Sequence, residues 1–405
     1  MKTRLGFAVI AGAGIAAIAI PLAAQQGSGS APTARYDMRA GTVSGFAGMG
    51  AGGMMGMMLG GGRSSNVQHE LHLRLGSGQA PAKGAGKADH FMPPSAKLGK
   101  SVQLVAPARV EREPEMLPQK PKGRLLIFWG CGETSPKGQP VVIDFARVAA
   151  GQMPAGMPAS AVVRDWGPTA TNSRTFTRWP AEDGKFVKSD SSLPGAHRVA
   201  SNYAPEISFT LTKDFMRALN VRTSSLPSGA SLASWTGIPD ATAYLAGVFG
   251  GKQGANGEMG DMVMWTSSAS RQFGGGLSDW LTPAQAATLV RDRTLLAPTV
   301  SNCTVPADVI RATPDFRIGT LTAFGPQEDF AYPPRPANAS ATWRPDWTAR
   351  IRHRSTTSWM QAQGMTMGGQ GAGAQGAQQG EGEKCKRRGG LGGMLGGALG
   401  GGSGC

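Results

Sequence analysis

The chain has 405 residues, with 41 Lys and Arg against 26 Asp and Glu and a formal charge of +15. That length holds two folded domains with room for tails, and the excess of cations attracts polyanions and anionic surfaces. It does not make a nucleic-acid module, because the basic residues are scattered and only Lys384, Lys386, Arg387 and Arg388 form a short run.

Residues 1–24 read as a secretory signal peptide. A basic tip with Lys2 and Arg4 precedes an uncharged apolar run from Leu5 to Ile20, and the small-residue stretch Pro21-Leu22-Ala23-Ala24 follows. Pro21 breaks the apolar run, and cleavage is expected near Ala24. A lipoprotein needs a Cys after the small residues, where this chain has Gln25. The expected address is therefore the periplasm, the cell envelope or the extracellular space, and loss of Lys2 and Arg4 lowers the formal charge from +15 to +13.

Residues 25–66 read as a Gly/Met-rich linker. The uncharged stretch 40–62 holds ten glycines and a cluster of Met49, Met54, Met55, Met57 and Met58. Glycines 48, 52, 56 and 60 recur every fourth residue, and Gly392, Gly396 and Gly400 repeat the spacing in a Gly/Gln-rich tail over 361–405. On a helix this spacing makes a small-residue stripe suited to close packing in a bilayer. In water each Gly costs about 1 kcal/mol against Ala, which favours a flexible linker and tail. Peripheral membrane contact or self-association is the alternative.

Residues 67–222 read as a first, mainly β domain. His69 to Leu75 alternates, placing His69, Leu71, Leu73 and Leu75 on one face and Glu70, His72 and Arg74 on the other. Val102 with Leu104, Arg124 to Trp129, Val141 to Phe145 and Glu206 to Thr212 supply further strands between turn residues. A second β-sandwich domain is expected over 226–360. Its Gly-rich stretch from Gly250 to Gly257 lacks the Gly-Lys-Ser/Thr ending of a phosphate loop and reads as a hairpin tip. Thr282 and Pro283 open a helix running to Asp292, as N-cap and first helical residue.

Within this second stretch, Leu232-Ala233-Ser234-Trp235, then Ile238 to Leu245 with Tyr244, then Asp261 to Ser267 follow in order. Residues 228–268 resemble the start of a fibronectin type III sandwich. The resemblance implies that Trp235 fills the gap between two sheets and that the Tyr244 hydroxyl reaches a partner. It implies no single function, since such sandwiches serve adhesion, receptor and accessory roles alike.

Four cysteines fit an oxidising compartment. Of the three possible connectivities, Cys131 with Cys303 and Cys385 with Cys405 is the expected one. Cys131 lies between Gly130 and Gly132 just after an apolar strand, which also makes it a candidate nucleophile for a secreted hydrolase, with His197 or His353 as base. The spacing departs from a nucleophile elbow and a turn follows it. His69 and His72, three apart on a strand, face opposite ways and do not form a metal pair. The Met cluster matches cuprous copper chemically but no His or Cys joins it, so no metal or cofactor is expected.

Trp129, Trp235 and Trp265 sit in apolar strands and read as core, leaving Trp343, Trp347 and Trp359 as surface candidates for stacking on sugars. The strand Arg350-Ile351-Arg352-His353-Arg354 places three arginines on one side and Ala349, Ile351 and His353 on the other. Trp343, Trp347, Arg350, Arg352 and Arg354 are thus the candidate binding residues for an anionic envelope polymer or polysaccharide. A solvated sheet face is the competing reading of the arginines. The function expected is that of a non-enzymatic envelope protein, binding or structural.

Overall fold

The computed structural model describes residues 32–49, 67–107, 123–152, 163, 165, 167–181, 185–253, 259–272, 277, 280–336, 343–362 and 365–367. The leader 1–24, the rest of the Met cluster beyond Met49, and Cys385 and Cys405 lie outside the described residues. The protein is mainly β, as expected.

One eleven-stranded sheet organises the chain. Its middle is a long antiparallel hairpin of β16 (Phe316–Tyr332) and β17 (Trp347–Ala362). On one side of the hairpin, β1 (Ala34–Gly45) pairs with β17 in parallel, β2 (Val67–Ser77) pairs antiparallel with β1, and β7 (Thr175–Trp179) and the short β8 (Phe186–Val187) pair with β2. On the other side follow β13 (Ala243–Gln253), β14 (Met259–Thr266), β5 (Arg124–Trp129) and β6 (Val141–Asp144). A last strand, β18 (Met365–Met367), pairs with the end of β17.

Two smaller sheets cover one face of this large one. The first runs β10 (Ile207–Leu211), β9 (Gly195–Ser201), β3 (Ala88–Phe91), β4 (Val102–Leu104), and the second runs β11 (Val221–Ser225), β12 (Ser231–Trp235), β15 (Asn302–Val305). Each encloses its own core. Tyr36, Met38, Leu71, Leu73 and Ile351 pack under the four-stranded sheet with Val199, Ile207 and Leu211. Trp235, Tyr244, Trp265, Leu321 and Trp359 pack with Val305 and Cys303 under the three-stranded one.

The four-stranded sheet is also fastened at both edges. Val105, just past β4, bridges Arg178 of β7 with backbone bonds of 2.9 and 2.8 Å. Past β10, the Glu328 carboxylate on β16 accepts from the backbone N–H groups of Thr212 and Lys213 at 3.0 and 3.1 Å. The connection over 212–220 crosses the sheet between the two cores, where its buried carbonyls need partners. Thr42 donates to the Met216 carbonyl at 2.6 Å, Ser355 to Arg217 at 2.8 Å and Ser44 to Leu219 at 2.9 Å.

Several expected local features are present. β2, β4, β5, β6 and β10 fall where the alternation placed them; Gly250 to Gln253 form the end of β13, which pairs with β14, and 254–257 of the expected hairpin tip lie outside the described residues. Helix α2 (Pro283–Arg291), which follows the short α1 (Phe145–Ala149) and precedes α3 (Ala307–Ala312), has Thr282 as N-cap in a full capping box with Gln285. Its buried Ala286 and Leu289 pack on Ala243 and Phe324, on the opposite face of the large sheet from the two cores. Trp235 and Trp265 are core, as read from sequence, and Trp129 packs at the edge of a small cluster on β5. The Ile238 N–H donates to the Tyr244 hydroxyl at 2.8 Å, and the Trp235 and Tyr244 rings lie 5.5 Å apart.

Other expectations need correction. Residues 34–45, read as part of a linker, form β1, which is almost wholly buried between β17 and β2. Residues 365–367, read as tail, extend the sheet as β18. The large sheet takes strands from both 67–222 and 226–360, so the two sandwiches share a sheet across the expected boundary. Trp359 is 7% exposed and belongs to the core. Its indole lies over Gly319, its registered neighbour on β16, where a Cβ would stand 2.1 Å from Cε2.

Cys131, just past β5, is bonded to Cys303 on β15 across 172 residues of sequence. The bond ties the large sheet to the three-stranded one. Such cross-links stabilise by about 2–5 kcal/mol. Replacing both cysteines by Ser is expected to lower the urea midpoint accordingly, and an unchanged midpoint would show that the bond contributes nothing to stability.

Candidate functional site

Period-two alternation sends Arg350, Arg352 and Arg354 to one face of β17, opposite the cores. Register then sets what they meet: Arg350 aligns with Asp37 and Arg74, Arg352 with Arg39 and His72, and Arg354 with Gly41 and Glu70. Charged residues of three neighbouring strands thereby stand in rows on one face.

Arg352 is 2% exposed, so its charge needs compensation. Its guanidinium donates to Asp37 Oδ1 at 2.7 Å, to Asp165 Oδ1 at 3.2 Å and to the Trp280 carbonyl. Its Nε is buried without a partner. Arg39 bonds the other oxygen of Asp37 at 2.8 Å and also bonds Asp165, while Arg74 stands 3.6 Å from Asp165. Asp165 and the Trp280 backbone are thus held against the sheet by buried guanidiniums.

Glu70 reaches Arg354 across Gly41, with Oε1 accepting from Nε at 3.0 Å and Nη2 at 2.9 Å. A Cβ at residue 41 would lie 2.3 Å from that oxygen, so glycine is what lets the pair span the intervening strand. The Arg354 guanidinium also stacks 4.1 Å from the Trp280 ring centroid, a cation–π contact on a buried indole.

These neighbours shift the carboxylates. Burial opposes ionisation of Asp165, but Arg39 and Arg352 overcome it and hold the group at about 2. Burial likewise works against Glu70, and His72 and Arg354 outweigh it, leaving its pKa lowered. For Asp165 the folded value lies below the ordinary 3.8, so its stabilisation is full above about pH 4 and is lost as pH falls through about 2.

The candidate residues therefore separate. Arg352 and Arg354 are engaged in the buried layer and present no solvated stripe, which corrects both readings of those arginines. Arg350 is more open and pairs with Asp329 at 3.3 Å. Trp347 is 6% exposed and has no free stacking face; its ring stacks on Tyr332, with centroids 6.3 Å apart and 19° between planes. Tyr332 itself is 56% exposed. Trp343 is half-buried, with the Arg335 guanidinium 5.6 Å from its ring centroid. Of the aromatic residues around these candidates, Tyr332, at the β17-facing end of β16, is the open one.

Cys131 is spent in the disulfide, and a bonded sulfur is no thiolate nucleophile. The proposed bases are held elsewhere: His197 bonds the Leu193 carbonyl, and His353 lies on β17 opposite Ala40, 2% exposed. Asp37, Arg39, Asp165, Trp280 and Tyr332 were missed from the sequence. For Asp37 and Arg39 a signal existed, since charged and apolar residues alternate from Arg35 to Ala40. No protein-family model matches the chain, and no curated protein matches it.

Removing one partner of a buried pair costs about 3–5 kcal/mol, against about 0–1 for an exposed pair. Arg352→Ala is expected to destabilise by the larger amount and Arg350→Ala by the smaller, compared by urea unfolding. Equal effects would mean the buried layer is not structural. Gly41→Ala is expected to separate Glu70 from Arg354 and lower the midpoint as well.

Proposed function

We propose that the protein is an exported, non-enzymatic component of the cell envelope that binds an acidic polysaccharide or a similar anionic polymer. The supporting observation is the aromatic and basic surface at the β16–β17 turn. There the exposed Tyr332 ring rests on Trp347 and the exposed Arg335 lies over Trp343. A rigidly backed ring facing solvent suits stacking on a sugar, and a nearby guanidinium suits an acidic substituent. The Cys131–Cys303 bond is compatible with an oxidising compartment, and the excess of basic residues favours an anionic partner.

The resemblance to a fibronectin type III sandwich enters this reading too. Strands β11 to β17 supply its support, because β11-β12-β15 faces β14-β13-β16-β17 as two antiparallel layers. In that reading, β1 to β4 and β7 to β10 are an addition built onto β17, the last strand of the sandwich, while β5 and β6 extend its sheet past β14.

The test uses the mature chain, titrated at about 0.15 M salt with acidic and neutral polysaccharides. Binding to an acidic polymer is expected, and Tyr332→Ala should weaken it about 2- to 13-fold, the scale of one aromatic contact of about 0.5–1.5 kcal/mol. Arg335→Ala should weaken it and flatten its salt dependence. Binding to none of the polymers, or full binding by both variants, would reject the proposal.

A further inference from the structure

The five histidines are distributed unevenly. No histidine lies between residues 198 and 352, so the three-stranded sheet and the β13–β14 hairpin have none. His69, His90, His197 and His353 are all buried on the side of the four-stranded sheet or at its border. Only His72 lies on the charged face.

Two of the four bridge the gap between sheets. Tyr36 Oη on β1 lies 2.7 Å from His90 Nδ1 on β3, His90 Nε2 lies 2.9 Å from His197 Nδ1 on β9, and His197 Nε2 lies 2.8 Å from the Leu193 carbonyl. A carbonyl only accepts, so His197 carries its proton on Nε2 and accepts on Nδ1. His90 must then donate from Nε2 and accept from the Tyr36 hydroxyl. Both rings are neutral and every polar atom of the chain is satisfied. A further proton either sets N–H against N–H or reverses the chain and strands the Tyr36 hydroxyl. Either way it places a charge on a ring at most 2% exposed.

The other two line the 212–220 connection. His69 stacks on Phe215 at 3.9 Å, and His353 has both ring nitrogens buried without a partner. Charged groups facing these four rings are few and occupied. Glu328 acts on His197 and His353, and its carboxylate accepts from Thr212 and Lys213. Asp214 acts on His69 and His353, and accepts from Ser192, Leu193 and Phe215. Asp190, beside His69, pairs with Lys97, and Asp240, near His353, pairs with Lys213. For Glu328 or Asp214 to turn to an imidazolium, each must release the backbone that fastens the four-stranded sheet.

We propose that these four imidazoles form an acid-sensitive latch, whose protonation frees the β10-β9-β3-β4 sheet from the large sheet while the disulfide-tied β11–β17 sandwich stays folded. Burial lowers all four groups from the ordinary imidazole value, His353 to about 4. Because the folded values are depressed, the stabilisation is full above about pH 6.5 and declines as pH falls towards the folded values. This lies above the range where Asp165, held at about 2, gives way.

The experiment is hydrogen exchange by mass spectrometry on the mature chain at about pH 7.5 and about pH 5, corrected for intrinsic rates. Peptides of β3, β9 and β10 should lose protection while those of β12, β13 and β15 keep it. Each additional proton bound on opening raises the opening constant tenfold per pH unit, and the latch requires a slope of more than one proton between about pH 6 and 5. His90→Gln with His197→Gln should flatten that slope, whereas His72→Gln should leave it unchanged. If the double variant does not fold, His353→Gln and the wild-type slope decide the matter. Joint loss of protection in both halves, retained protection in β3, β9 and β10, or a slope of zero would overturn the latch.

Discussion

The parallel ladder between β1 and β17 is the constraint on which the architecture rests. It runs in register from Ala34 beside Trp347 to Gly45 beside Ser358. Without it, β2 and β7 have no place in the large sheet, and the four-stranded sheet has nothing to cover. The β16–β17 hairpin is long enough to serve both cores. Ala349 and Ile351 face the first, and Leu321 and Trp359 face the second. Parallel strands are ordinarily covered on both faces, and β1 meets that condition in an uncommon way, with apolar packing on one face and an ion layer on the other.

Much of the β texture was legible because strands of the first half expose one face of a simple alternation. β2 reads as such from His69 to Leu75, and the helix over 283–291 announces itself through Thr282 and Pro283. The central strand was not legible, for two physical reasons. Glycines 41 and 45 lowered its apparent strand propensity, although Gly41 is there to let Glu70 reach Arg354. The charges of Asp37 and Arg39 are also no sign of a core strand on their own, since burying an ion is costly unless a partner waits, and sequence does not show the partner. Asp165 and Trp280, more than a hundred residues away, complete that layer.

The same blindness explains the candidate binding residues. Alternation put Arg350, Arg352 and Arg354 correctly on one side, but exposure depends on what covers the face. Trp347 is buried because Tyr332, its neighbour across the hairpin, takes the outer position. An aromatic pair on facing strands shares one exposed surface, and composition does not say which ring receives it. The pairing of Cys131 with Cys303 was easier to anticipate, since both lie in sequence with strand character.

The large sheet thus buries polarity in two chemically distinct ways. On the outer face, guanidiniums and carboxylates compensate one another: arginines hold Asp165 at about 2, and His72 and Arg354 lower Glu70. On the inner face, imidazoles, hydroxyls and backbone carbonyls are joined as neutral groups, and burial keeps the rings uncharged. An ion layer is satisfied by the charges that acid leaves longest in place, whereas a neutral imidazole chain is disturbed by the first proton it takes up. Acid therefore acts on the two faces in sequence, inner before outer. The half of the molecule that relies on imidazoles lacks the cross-link that ties β5 to β15.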